Sequence, residues 1–241
     1  MISILAIETS TPACSVALVV GDDKFFRYSE EPRSHTRLIM GMIDEVLCEA
    51  GITVDSLGAV AVTVGPGSFT GLRIGFSTAQ GLAFGADIPV IPVSTLQVMA
   101  QTYKRKHSTD TDCRYIVMPV LDARMGEFNC GAYKLDSSGQ FEAVIEDQLL
   151  SKNNALELCE SLQPGIIVGD HGSLFNSPLP ESSDIDSYPV QALYPDAVDL
   201  IDIALTRFTQ DGAVPVAQVD LVYLRGTDAW KKHTPLRTIK N

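Results

Sequence analysis

The sequence has no pair of histidines at metal-helix spacing, no Cys-x-x-Cys, no Gly-Lys-Ser/Thr and no Gly-x-Ser-x-Gly. His35, His107, His171 and His233 stand far apart, which excludes a His-x-x-x-His or His-Glu-x-x-His metallohydrolase helix. The missing Gly-Lys-Ser/Thr excludes a P-loop, and the missing serine motif excludes a nucleophile elbow. Cys14, Cys48, Cys113, Cys130 and Cys159 are dispersed and odd in number, so they read as reduced thiols and not as a disulfide frame or zinc site. No stretch reaches the ~18–20 apolar residues that span a bilayer. The N-terminus also lacks a basic run ahead of its apolar segment, which Glu8 interrupts. A cytoplasmic protein with no membrane contact is expected. No acid/base, nucleophile or metal constellation stands out, so no catalytic residue and no metal ligand is assigned.

Positive charge is also scarce. The chain carries 18 Lys and Arg against 30 Asp and Glu, a net charge of −12. A stand-alone nucleic-acid binder needs a basic surface to displace phosphate counterions, and this chain has none over most of its length. The exception is the end, where Arg225, Lys231, Lys232, Arg237 and Lys240 face only Asp228. Such a tail serves solubility or a contact with phosphate or an acidic partner. What is present in quantity is a core. With 45% apolar and 20% charged residues among 241, the chain is globular, as one large domain or two of about 100–130 residues.

Apolar runs at 2–7, 14–20 and 24–28, separated by short turns, predict an antiparallel meander. A helix over 36–50 follows from the stripe Ile39, Met42, Ile43, Val46 and Leu47, with Gly51 as C-cap. Leu38 and Met40 widen that stripe beyond one core face. His35 reads as the residue before a cap at Thr36. A buried strand at 59–64, a glycine-rich loop at 65–71, a helix at 72–85, a strand at 88–93 and a helix capped by Ser94 complete the first half. The polar run 104–112 is the boundary, giving expected subdomains 1–105 and 106–241. The second half repeats the pattern with strands at 115–121, 127–135 and 141–147, a helix from Ser151 to about 162, a strand at 166–168, loop over 173–188, and a helix from 195 to about 208. The result is an α/β fold with a coarse internal duplication.

The strongest local signal is Gly65, Pro66, Gly67, Ser68, Phe69, Thr70 and Gly71 between a strand and a helix. It imitates a dinucleotide fingerprint, yet it does not follow the first strand, and Ser94 stands where the ribose-binding acid belongs. The other reading is a tight turn that brings a helix close to a sheet. In that helix Gly71, Gly75, Ala79 and Ala83 recur every four residues, a face on which another backbone can approach closely. This face is either core or, together with Leu38, Ile39, Met42 and Ile43, an oligomer or partner interface.

Gly65–Gly75 reads Gly-Pro-Gly-Ser-Phe-Thr-Gly-Leu-Arg-Ile-Gly and includes Arg73. With Glu8-Thr9-Ser10-Thr11 near the start, and Asp122-Ala123-Arg124 followed by Glu127, it resembles the TsaB (YeaZ) family. The resemblance implies a duplicated actin-like, Hsp70-like (ASKHA) ribonuclease H-like fold, two subdomains each with a mixed sheet flanked by helices. It also implies a part in forming threonylcarbamoyladenosine at position 37 of tRNAs that read codons beginning with A. In that system TsaD transfers the carbamoyl group, TsaE is an ATPase and a separate synthase makes the adenylate. A TsaB-like chain is the non-catalytic member, pairing with TsaD through helices of its first subdomain. The implied partners are therefore a TsaD-like catalytic subunit, a TsaE-like ATPase, a second copy when alone, and tRNA only through the complex, with no cofactor of its own. The catalytic relative has paired histidines where Thr95 and Met99 align, and a phosphate loop where Asp122-Ala123-Arg124 aligns. Thr9, Ser10 and Thr11 are the remaining candidates for a residual nucleotide contact. A stand-alone actin-like ATPase and a glycopeptidase-type metallopeptidase are the alternatives, the second disfavoured by the missing histidine pair.

Overall fold

Strands β1 (Ser3–Glu8) and β2 (Cys14–Val20) are buried almost end to end, because helices cover both faces of the sheet they centre. In the computed structural model, which describes residues 2–107, 115–136, 139–170, 190–210 and 212–225, β3 (Asp23–Ser29) extends this pair as an exposed edge. Helix α1 (His35–Ala50), β4 (Ala59–Gly65), α2 (Phe69–Ala86), β5 (Val90–Ser94) and α3 (Thr95–His107) follow. The second half holds β6 (Val117–Asp122), β7 (Glu127–Leu135), β8 (Phe141–Ser151), α4 (Lys152–Leu162), β9 (Ile166–Val168), β10 (Val190–Gln191) and α5 (Ala197–Thr209).

The duplication is complete at the level of strand order. The first sheet runs β3-β2-β1-β4-β5 and the second runs β8-β7-β6-β9-β10. In each, the first three strands pair antiparallel and the last two join in parallel, with β1↔β4 and β6↔β9 at the centre. The closing helices are exchanged. Leu96, Met99 and Ala100 of α3 pack into the core of the second sheet, with Val117, Tyr133, Phe141 and Val168. Ala197, Leu200, Ile201 and Ala204 of α5 pack on the first sheet, against Ile4, Ala6, Ala59 and Ile91. The halves are thus joined by two helices: α5 buries its stripe on the first sheet, and α3 packs into the second half's core while its Val98 stays in the first.

Local chemistry sets the helix ends. Ser94 Oγ accepts from the Leu96 and Gln97 amides, Ser151 Oγ from Asn154 and Asp196 from Val198, each satisfying an otherwise unpaired first-turn N–H. Gly51 closes α1 in the left-handed region at φ 67°. Several boundaries differ from those expected. Helix α1 starts at His35 after Ser34, not behind a Thr36 cap, and the His35 ring lies 2.9 Å from the Thr11 carbonyl, bracing the β1–β2 loop. Helix α2 begins at Phe69, so the glycine loop is shorter than its motif. Strand β8 continues to Ser151, and β10 is too short to leave a pattern. Of the polar run 104–112, the first residues form the last turn of α3 and the rest lie outside the described residues, as do the 173–188 loop, Cys113, His171, His233 and the tail beyond Arg225.

Where the exchanged helices meet, Arg105 reaches Asp199 with two hydrogen bonds (2.8 and 2.9 Å) and Asp196 with one (2.7 Å). The Asp199 carboxylate is fully buried, and burial holds its pKa above the ordinary range even beside the guanidinium. Replacing Arg105 by Met strands that carboxylate. Breaking a buried pair costs ~3–5 kcal/mol, and because Arg105 is itself 39% exposed, the lower end applies. Urea denaturation of Arg105→Met should show a loss near ~3 kcal/mol, and adding Asp199→Asn should recover part of it.

Candidate functional site

The glycine segment is a packing joint. Ser68 caps α2 through its Oγ, which accepts from the Gly71 amide at 3.2 Å. Side chains at Gly67, Gly71 or Gly75 would overlap Ser10 or Thr9, so their absence lets α2 press onto the end of β1. Thr9 Oγ1 then donates to the Gly71 carbonyl at 2.8 Å, and the Ser68 amide donates to the Ser10 carbonyl at 2.7 Å. Pro66, after a cis peptide bond, is buried, whereas Phe69, Thr70 and Arg73 point outward. The Arg73 guanidinium lies 3.7 Å above the Phe69 ring and donates to Tyr223 at 3.1 Å.

Nucleotide contact does not fit the β1–β2 loop. Thr9, Ser10 and Thr11 are at most 4% exposed, and both the Ser10 amide and hydroxyl are committed to Glu8 Oε1 at 2.6 Å each. In the second half the equivalent turn carries the Asp122 carboxylate, which accepts from the Arg124 amide and would repel phosphate. A metal does not fit the α3 positions either. Thr95 and Met99 are fully buried, and the Met99 thioether sits in the second half's core, where Gly169 leaves room for its methyl group. Among the described residues no group of three or more His, Cys, Asp or Glu could hold a metal.

The row Gly71, Gly75, Ala79 and Ala83 is buried within this chain, as are Ile39, Met42 and Ile43; Leu38 is half-buried against the same core. Seven of the eight residues expected at an interface therefore face the first sheet, because the closest approach of α2 is to Thr9 and Ile7. The outward faces of α1 and α2, which lie side by side on that sheet, carry a different set. Phe84 is 82% exposed and Met40 48%, and a Cβ at Gly41, Gly81 or Gly85 would meet nothing within 4 Å. Ser77, Gly81 and Gly85 form a second small-residue row at the same four-residue spacing. The four-residue spacing of that row is itself a signal in the sequence, beside the longer row at Gly71, Gly75, Ala79 and Ala83.

Glu8 is the buried titratable group of this joint. It is fully buried, its Oε2 has no hydrogen-bond partner, and burial pushes its carboxyl up to about 7, with Asp196 adding repulsion. Between the ordinary 4.5 and about 7 the folded chain holds a proton the unfolded chain has released. Glu8's contribution is therefore complete below 4.5 and lost as pH rises through 7. Glu8→Gln should gain stability relative to the parent from pH 5 to pH 8 by up to about 3 kcal/mol, read from paired melting curves.

The fold is a duplicated α/β architecture of the actin-like, Hsp70-like (ASKHA) class, two mixed sheets flanked by helices. The family model for TsaD, tRNA N6-adenosine threonylcarbamoyltransferase, matches residues 29–183. The TsaB proteins of Escherichia coli and Haemophilus influenzae, named for tRNA threonylcarbamoyladenosine biosynthesis, are 36% and 34% identical to it. Those alignments cover 95% and 96% of this chain and 97% of each relative. The solved structure of YeaZ from Pseudomonas aeruginosa superposes with a TM-score of 0.79 at 30% identity, over 93% of this chain and all of that one. The chain belongs to the TsaB (YeaZ) family. No helix among the described residues is long and apolar enough to cross a membrane.

Proposed function

We propose that this chain takes part in tRNA threonylcarbamoyladenosine biosynthesis as a non-catalytic subunit. It binds and activates a TsaD-like transferase through the outer faces of α1 and α2, together with a TsaE-like ATPase. The carrying observation is the set of interior helical glycines with open space around them. Each costs about 1 kcal/mol relative to alanine, and nothing among the described residues uses the room. Gly41, Gly81 and Gly85 let a partner helix come close, and Phe84 and Met40 beside them supply apolar area for it to bury. The burial of Thr9, Ser10 and Thr11, and of Thr95 and Met99, is in keeping with a role without chemistry of its own. In the absence of the partner, the same face pairs two copies, so homodimer and heterodimer compete. The acidic body meets tRNA only within the complex. Residues 1–105 and 106–241 are the two subdomains, and the setting is the cytoplasm.

Two substitutions on opposite sides of α2 test this. Gly81→Leu places bulk on the outer face and should weaken binding to the TsaD-like partner tenfold or more, about 1.4 kcal/mol, with the melting temperature kept. Ala79→Leu places the same bulk against the sheet and should cost the isolated chain ~1–3 kcal/mol. Titration calorimetry beside thermal melts separates them. Unchanged affinity for Gly81→Leu would remove this face from the interface.

A further inference from the structure

Two motifs of the sequence, Gly65–Arg73 and Asp122-Ala123-Arg124 with Glu127, lie in different halves. One short segment touches both. After α5 the chain returns along the first sheet, where Val214 exchanges hydrogen bonds with Val90 at 2.8 and 2.9 Å and Val219 is buried in the core. The Val222 amide donates to the Val64 carbonyl at 2.8 Å, and a Cβ on Gly65 would stand 2.5 Å from the Val222 carbonyl oxygen. The Tyr223 ring lies 5.5 Å from Phe69, tilted by 42°, and its hydroxyl accepts from Arg73. Two residues on, the Arg225 guanidinium donates to the carbonyls of Ala123 (3.1 Å) and Arg124 (3.2 Å) and to Glu127 Oε2 (2.5 Å) in the β6–β7 turn.

That turn needs holding. Arg124, Met125 and Gly126 follow one another in the left-handed region, at φ 67°, 60° and 75°. Residues with side chains adopt that conformation rarely, and here two do so in succession, with Met125 left 86% exposed. Within the turn, Asp122 accepts from the Arg124 amide, the Ala123 amide donates to the Glu127 carbonyl, and the Glu127 amide donates to the Arg124 carbonyl. Arg225 is the further donor to the Arg124 carbonyl and also bonds the Ala123 carbonyl.

We propose that residues 222–225 are a latch between the two halves, fastening the β6–β7 turn of the second to the start of α2 in the first. The open seat at Gly65 exists for the backbone of Val222, and Arg73 and Phe69 hold Tyr223 so that Arg225 reaches the turn. A disturbance at either end therefore passes to the other through the strand. This coupling is a property of the chain by itself and is independent of which partner covers α1 and α2.

Amide hydrogen exchange on the full chain tests the latch. Arg225→Ala should speed exchange at least about tenfold at 123–127, and also at the Val222 amide, which is bonded to Val64 of the first sheet. Gly65→Ala, which displaces Val222, should speed exchange at 123–127 although it is made in the first half. If Gly65→Ala does not fold, Tyr223→Ala frees the same strand and carries the same readout. Exchange changes confined to the half that bears the substitution would overturn the latch.

Discussion

Helix α2 lies so close to the end of β1 that only glycine fits at Gly71 and Gly75, and Thr9 bonds directly to the Gly71 carbonyl. Much else follows from this contact. It seals Thr9, Ser10 and Thr11 beneath the helix, so the β1–β2 loop serves as a structural joint. It fixes which side of α2 faces inward, and thereby turns Ser77, Gly81, Phe84 and Gly85 outward beside α1. The same joint encloses Glu8, and burial there raises its carboxyl pKa.

The second organising feature is the exchange of α3 and α5. A helix that ends one half and packs on the other's sheet makes the two halves mutually dependent for their cores. Arg105, Asp196 and Asp199 hold the crossing point. Carboxylates at 196 and 199 suit the first turn of a helix for electrostatic reasons, and here they also receive the cation from the last turn of α3.

Much of this was legible in the sequence. Continuous apolar runs marked the central strands, Ser94 and Ser151 marked helix starts, and the repeat of strands and helices announced the duplication that the matching sheet orders display. The orientation of α2 was not legible, because small residues recur every four positions on two of its sides, and periodicity alone does not say which meets the sheet. The exchange of α3 and α5 was hidden for a related reason: an apolar stripe shows that a helix is buried, not which sheet buries it. The segment 219–225 has no strand alternation or helical period, since the buried Val219, one backbone bond from Val222, a tilted ring contact and the side chains of Arg73 and Arg225 hold it in place. Its role appeared only once Gly65, Phe69 and Arg73 were placed beside it.

The central claim is that the chain contributes a surface and no chemistry. Reconstituted tRNA modification with purified TsaD-like transferase, TsaE-like ATPase and the threonylcarbamoyl-adenylate donor tests it most directly, run without this chain, with it, and with a folded Phe84→Asp variant. Modification should be absent without the chain, restored by it, and low with the variant. Undiminished modification without the chain or with the variant, or modification by this chain alone, would contradict the account.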